Sequence, residues 1–559
     1  MMWKSVIEMM AYQGEHYPDL IFTRYLDGDS HADVYTYSAT WQLILRWADL
    51  LAEQGVTHGS TVILALPNSA DFIGAYFGVL LVGGIPAAVP PIKKQTTNDN
   101  YANVLAMRIR FIDAKVCVVP LESAAAIMQL GLDKIDGLKI LSRGDLPDIG
   151  RARTPGAASD DLGLLQFTSA TSGSAKVVQL THAALLAQTQ MISEALRLDP
   201  SVDSAVSWLP LYHDMGLIGY LLTPASNHGT VNLMQTDDFI ARPGLWIKAL
   251  SDYGATLTGG PPSAYLQVAR RMKASEIVQY RLDHVRVALV GAETVTEASV
   301  NPFLEKFSPI GFRHTSLMPS YGMAENGLAV TLAPLDCLPV FDYIDSEILH
   351  REKRAVPPVD DRPGRTVASV GVALQGIEIA IVDNLGSRLE DRHVGEIIVC
   401  SPSLMRGYFR LPELTNEAIR DNWLHTGDLG YLADGQLFIT GRKKEILIVG
   451  GRNYYPEELE EVAGKIPGVR MRHVVAVSHA NPETGTEAVI LFVETSLTER
   501  AERDNLRLNV RKALTTTGFP VSDVVLLRPK TIQFTYNGKL MRGNCLSRYF
   551  AGEFADTDE

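Results

Sequence analysis

LLQFTSATSGSAKVVQLTHAALL, residues 164–186, carries an apolar strand into a turn of small and hydroxyl-bearing residues, and a helix starts near Thr181. Thr168, Ser169, Thr171, Ser172 and Gly173 form the turn, and Lys176 follows it. Hydroxyls and backbone N–H groups in such a loop can hold phosphate oxygens, and the lysine adds positive charge. The string GxxxxGK[ST] does not occur, so this is no Walker loop. A Ser/Thr-rich turn of this kind also serves as a plain connection.

The surroundings of the loop set the fold. From about residue 60 to 330, short β-rich runs (TVILAL, KVCVVP, LLQFTSA, AVSWLP, TVNLMQ, ATLTGG, VRVALVG, SLMPSYG) alternate with helix-length segments. That alternation predicts an α/β fold with mostly parallel sheets flanked by helices, and ligands at the carboxyl ends of strands. Between about 365 and 440 the runs IEIAIVD, EIIVCSP and QLFIT are separated by turns, which suggests a small antiparallel β subdomain. Residues 444–559 read as a compact α+β unit with its own core. The polar stretch 344–366 stands out as an insertion.

Composition excludes several classes. The chain has 559 residues, 46% of them hydrophobic and 21% charged, which suits a globular protein of several domains. A net charge of −13 argues against a nucleic-acid partner. Cys117, Cys337, Cys400 and Cys545 are too scattered for a disulfide scaffold or zinc site and suit a reducing cytoplasm. The one apolar run of membrane length, 71–93, is broken by Gly83, Gly84, Pro86, Pro90 and Pro91, and reads as a buried helix followed by a strand. The start of the chain has no signal-peptide pattern. Oligomeric state stays open, and a monomer is compatible with the sequence.

Four further residues carry chemistry in their own right. Glu325 follows Tyr321-Gly322 at a strand end, where a carboxylate can hold Mg²⁺ on nucleotide phosphates; a helix N-terminal acid has the same spelling. Tyr321 offers a flat face to a base, or ordinary packing. Asp428, in HTGDLG, can accept two hydrogen bonds from a ribose diol, or simply stabilise a turn. Arg442 can reach ribose or phosphates, or make a surface ion pair.

Taken together, these segments resemble the adenylate-forming superfamily of acyl-CoA synthetases, adenylation domains and luciferases, and within it the fatty acyl-AMP ligase branch. Collinear stretches carry the resemblance: the loop at 164–186, SWLPLYHDMGLIG (207–219), TLTGGPPSAY (256–265), VGAETV (290–295) and SYGMAENG (320–327), then GEIIVCSPSLMRGYF (395–409), HTGDLG (425–430), GRKKEILIVGGRNYYPEELE (441–460) and TYNGKLMR (535–542). The chain departs from the family loop at Ala170, Ala175 and Val177. The resemblance implies a large N-terminal domain (1–443) of two helix-flanked sheets and a β-barrel-like subdomain, with the insertion near 340–366. A small mobile domain (444–559) would follow.

The resemblance also implies roles. ATP and Mg²⁺ are the cofactors, with Glu325 and Thr171 at the metal. Thr168, Ser169, Thr171, Ser172, Gly173, Lys176, Gly291, Ala292, Glu293, Tyr321, Gly322, Met323, Ala324, Asp428 and Arg442 would contact ATP or AMP. Trp208, Tyr212, Gly216, Gly260 and Tyr265 would line the acyl pocket. His213 would touch substrate, Lys539 would be the mobile catalytic lysine, and Lys444 the hinge. The implied reaction converts a fatty acid and ATP to acyl-AMP and pyrophosphate. The acyl group then passes to the phosphopantetheine thiol of a holo acyl carrier protein or a polyketide or nonribosomal synthase carrier domain. The insertion and the GGRNYYPEE wording favour this branch. An acyl-CoA synthetase using free CoA is the alternative, and a non-catalytic adenylate-binding protein with a decayed loop is a third reading. An amino-acid-activating domain is disfavoured, because no Phe-Asp pair stands near 207–219.

Overall fold

The computed structural model describes residues 3–28, 31–91, 99–123, 127, 131–168, 176–359, 364–449, 452–481, 486–517, 519–534 and 540–554. Its largest sheet has nine strands. The order is Val372–Ala373, Ala329–Leu332, Leu317–Gly322, Val287–Val290, Leu257–Gly260, Ser204–Ser207, Thr230–Met234, Ile21–Asp27 and His31–Thr36. The six strands from Leu317–Gly322 to Ile21–Asp27 run parallel, and antiparallel strands close both edges. A second, all-parallel sheet joins Ile85–Ala88, Thr61–Leu64, Val116–Val118 and Lys139–Leu141. Helices cover both sheets, as parallel strands require.

The 71–93 run behaves as its composition demands. Helix Ala70–Leu81 starts where the Ser69 hydroxyl accepts from the Phe72 amide, and every residue of it except Asp71 is buried. A Cβ at Gly78 would lie 2.8 Å from the Trp47 Cβ, so the absent side chain lets this helix press directly on helix Tyr37–Glu53. Pro86 then sits in the edge strand Ile85–Ala88. No described helix is long and apolar enough to cross a membrane.

The loop region differs from the expected strand-to-helix passage. Leu162–Phe167 pairs antiparallel with Val177–Thr181, and Gly407–Tyr408 adds to the same small sheet. The β-branched pair Val177-Val178 extends the chain before Thr181 caps helix His182–Leu196 by accepting from the Ala184 amide. The loop therefore joins two strands of a hairpin, not a strand and a helix.

Residues 378–442 form the expected antiparallel subdomain, five strands with Trp423–Ala433 at its centre. Beyond it, Val474–Asn481, Thr486–Glu494 and Asp523–Leu527 form a mixed sheet. Its strand residues alternate between two cores: Val474 and Leu491 pack with Leu459 and Val510, whereas Val475 and Phe492 pack with Cys545 and Phe554. The polar stretch is no loose excursion. Phe341–Asp345 and Gly364–Ala368 form a ladder, and helix Ser346–Glu352 opens on an Asp345 cap. Ile344, Leu349 and Val367 pack on Tyr431, Phe438 and Tyr455.

Candidate active site

A cavity of about 1270 Å³ opens where the carboxyl ends of the large sheet, the hairpin residues Thr168 and Lys176, the antiparallel subdomain and the last α+β unit meet. One end is polar. Strand Leu317–Gly322 delivers Tyr321, and the chain doubles back so tightly after it that a Cβ on Gly322 would overlap the Leu328 carbonyl oxygen. The Tyr321 hydroxyl donates to Asp428 Oδ2 at 2.6 Å, and Arg442 Nε lies 2.9 Å from Asp428 Oδ1. Asp428 and Arg442 face each other across neighbouring strands, so the pair is set by register. Burial, reinforced by Asp428, pushes the Tyr321 pKa well up and keeps its hydroxyl a neutral donor. Asp428 is largely buried, and a carboxylate with two bonds made still has lone pairs for a diol.

Next to this pair, the Glu325 carboxylate accepts from the Tyr408 hydroxyl at 2.8 Å, and the Lys176 ammonium sits 4.5 Å above the centre of the Tyr408 ring. Burial lowers the Lys176 pKa and Glu325 opposes that shift. Thr168 and Lys176 close the hairpin: the Thr168 amide and hydroxyl both donate to the Lys176 carbonyl, at 3.0 and 3.2 Å. Among the described residues, no three His, Cys, Asp or Glu side chains cluster as a metal cage. A lone carboxylate such as Glu325 suits a Mg²⁺ ion held chiefly by phosphates and water. Ser169, Thr171, Ser172, Gly173 and Lys539 lie outside the described residues.

Gly291, Ala292, Met323, Ala324, His213 and Lys444 also line the cavity. Ala292 holds φ +66°, a left-handed conformation that costs a non-glycine residue roughly 1–2 kcal/mol. His213 Nδ1 lies 2.6 Å from Asp214 Oδ1, and Asp214 also accepts from the Met215 amide at 2.7 Å. Glu293 sits apart. Its carboxylate accepts from the Ser263 hydroxyl at 3.1 Å and from Arg472 at 2.8 Å, so it faces the C-terminal unit and not the cavity.

The other end of the cavity is an apolar arm between helix His182–Leu196, the helical turn Met215–Leu222 and the sheet. Leu196, Tyr220, Leu257, Val287, Leu289 and Leu328 line it. Trp208, Tyr212, Gly216, Gly260 and Tyr265 do not. Trp208 stacks on Phe239 at 3.7 Å, Tyr265 packs on Trp246 and donates to the Leu289 carbonyl, and Gly260 lies against Trp208. Gly216 abuts Pro210, and the Tyr212 carbonyl accepts from Gln166. These residues pack behind the cavity wall and not on it. The sequence singles out neither Tyr408 nor the arm residues; Gly219, in the apolar run 215–222, is the one local signal of the arm, facing Leu328.

The family model described as AMP-binding enzyme matches residues 10–409. The chain belongs to the AMP-binding enzyme family, and it is an ATP-using ligase. A putative acyl-CoA synthetase of Caulobacter vibrioides is 33% identical over 507 residues, covering 90% of this chain and 88% of its own. A medium-chain-fatty-acid–[acyl-carrier-protein] ligase of Moorena producens is 30% identical over 576 residues, covering 98% and 96%. A solved structure from structural and functional studies of fatty acyl-adenylate ligases of E. coli and L. pneumophila superposes with a TM-score of 0.89 at 28% identity, covering 99% of this chain and 98% of that one.

Proposed function

We propose that this chain activates a fatty acid with ATP to acyl-AMP and pyrophosphate, and then passes the acyl group to the phosphopantetheine thiol of an acyl carrier protein or carrier domain. The observation that carries this reading is one cavity with a Tyr321–Asp428–Arg442 nucleotide end and an apolar arm. Asp428 takes the ribose hydroxyls, Tyr321 faces the adenine, and Arg442 fixes Asp428. Thr168, the loop hydroxyls and Lys176 hold the phosphates. Mg²⁺, held by Glu325 with Thr171, neutralises phosphate charge when bound. A substrate carboxylate oxygen bonds to the α-phosphorus while the bond to the bridging oxygen breaks and pyrophosphate leaves. No general base is needed, so the protein's work is alignment and charge stabilisation, to which Lys539 and His213 contribute. A thiolate then attacks the acyl carbonyl carbon and AMP leaves.

Residues 1–443 and 444–559 act as two domains turning about Lys444, in the cytoplasm. The insertion supports the carrier-protein branch. His350 Nε2 on its helix lies 2.9 Å from Glu458 Oε2, and Arg365 lies 3.2 Å from Glu458 Oε1, all largely buried. Burial raises the Glu458 pKa, but Arg365 and His350 outweigh it and hold the carboxylate ionised. This tether restrains the rotation that CoA chemistry requires. Of the basic residues around 465–473, Arg470 pairs with buried Glu494, Arg472 with Glu293 and Lys465 with Glu461; Lys465 is the most exposed of the three and is the one that meets an acidic carrier.

The test is mass spectrometry of products from a fatty-acid panel with ATP and Mg²⁺, divided between free CoA and a holo-carrier protein. Acyl-AMP and a loaded carrier without acyl-CoA are expected. Efficient acyl-CoA formation would move the chain to the CoA ligase reading that the Caulobacter relative's name suggests.

A further inference from the structure

Tyr408 belongs to none of the residues singled out by sequence, yet it touches two of them. The backbone explains how. Tyr408 pairs with Val178, the Phe409 amide donates to the Val177 carbonyl at 2.8 Å, and the Arg406 amide donates to Gln179 at 2.9 Å. Tyr408 thus stands beside the point where Lys176 enters the hairpin. At the start of the same segment, the Met405 amide donates to the Glu325 carbonyl at 2.8 Å. One short strand therefore spans the gap between the hairpin and the turn that carries Glu325.

The two contacts of Tyr408 are chemically distinct. Its ring face attracts the Lys176 ammonium without neutralising it, so the charge stays available to an anion. Its hydroxyl fixes one oxygen of Glu325 and leaves the other to a ligand. Lys176 and Glu325 would otherwise be drawn into a direct ion pair, which would cancel both. We infer that Tyr408 is a positioning residue: it keeps Lys176 and Glu325 apart and aimed, the lysine at phosphate oxygens and the carboxylate at the metal that accompanies them.

This inference rests on the reading of the cavity as a site for ATP with Mg²⁺. Its test is calorimetric titration of ATP into the full chain, with and without Mg²⁺, for the wild type and for Tyr408→Phe, Tyr408→Leu and Lys176→Met. The wild type binds ATP more tightly when Mg²⁺ is present. In Tyr408→Phe, metal-free binding stays within about twofold, while the gain from Mg²⁺ shrinks roughly tenfold, the worth of one hydrogen bond to a charged group. Tyr408→Leu also weakens metal-free binding by roughly fivefold, the scale of a lost cation–π contact. The double variant Tyr408→Leu/Lys176→Met binds metal-free ATP no more weakly than Lys176→Met alone. A full Mg²⁺ gain in Tyr408→Phe, equal weakening with and without metal, or additive losses for Leu and Met would overturn the inference. A wild type that binds no ATP under either condition would remove the underlying functional reading as well.

Discussion

At the polar end of the cavity Tyr321, Asp428 and Arg442 meet through contacts of 2.6 and 2.9 Å; the arm is lined by Leu196, Tyr220, Leu257, Leu289 and Leu328. The first group must match one fixed chemical object, so its members are polar and bound to a set register. The second needs only a wall of suitable shape, and many apolar residues from distant parts of the chain supply it equally well. Directional chemistry leaves short, readable words in a sequence. Packing leaves none.

The sharpest way to break this contrast is Lys539→Ala. Loss of a charge-stabilising donor lowers kcat for pyrophosphate release by roughly a thousandfold, while ATP affinity changes by less than about twofold. Equal loss of both would make Lys539 part of the binding wall instead. A second test concerns His182, at the root of the helix that joins the hairpin to the arm. It is buried, its Nδ1 accepts from the Val6 amide at 3.2 Å, and burial drives its pKa down from 6.5 to about 4. Below pH 6.5 the unfolded chain takes up a proton that the folded chain refuses, so stability falls as the pH drops toward 4, by about 3 kcal/mol in total. Urea melts at neutral and acid pH measure the slope, and His182→Gln should flatten it.

Smaller effects separate the two ends directly. Asp428→Ala weakens AMP binding roughly fiftyfold through lost charge-assisted hydrogen bonds, and leaves chain-length preference as it was. Gly219→Leu does the opposite. A side chain there enters the arm beside Leu328, and excluding two or three methylenes costs about 2 kcal/mol, or roughly thirtyfold in kcat/KM for a long acid. A short acid and ATP should not notice. If Gly219→Leu impaired ATP binding, the division into two ends would fail.

Legibility followed the same division. The alternation of strands and helices can be read directly, because it depends on a local pattern, whereas Tyr321, Glu325, Asp428 and Arg442 each also read as a packing, helix-start, turn or ion-pair residue until the collinear motifs single them out. In the sequence the hairpin at 162–181 looks like a strand running into a helix, since five extended residues ending at Thr181 leave little trace beside the fifteen-residue helix that follows. Trp208 and Tyr265 were assigned to the acyl wall by their place in motifs, but which way a side chain points depends on pleat and on neighbours far along the chain. Tyr408 lies within the quoted stretch 395–409, but the sequence gives it no role, because its partners Lys176 and Glu325 are distant in sequence and only the ladder with Val178 brings it beside Lys176.

The turn after Tyr321 has a genetic consequence. Every single-base change that alters the amino acid at a glycine codon either adds a Cβ or ends the chain. At Gly322 that Cβ would overlap the Leu328 carbonyl oxygen, which is backbone and cannot rotate aside. Gly322 is therefore closed to point mutation, while Met323, next to it, is not so confined. In a saturation library of the whole gene, position 322 should stand as an empty column beside a populated one, marking the edge of the nucleotide end without any ligand being added.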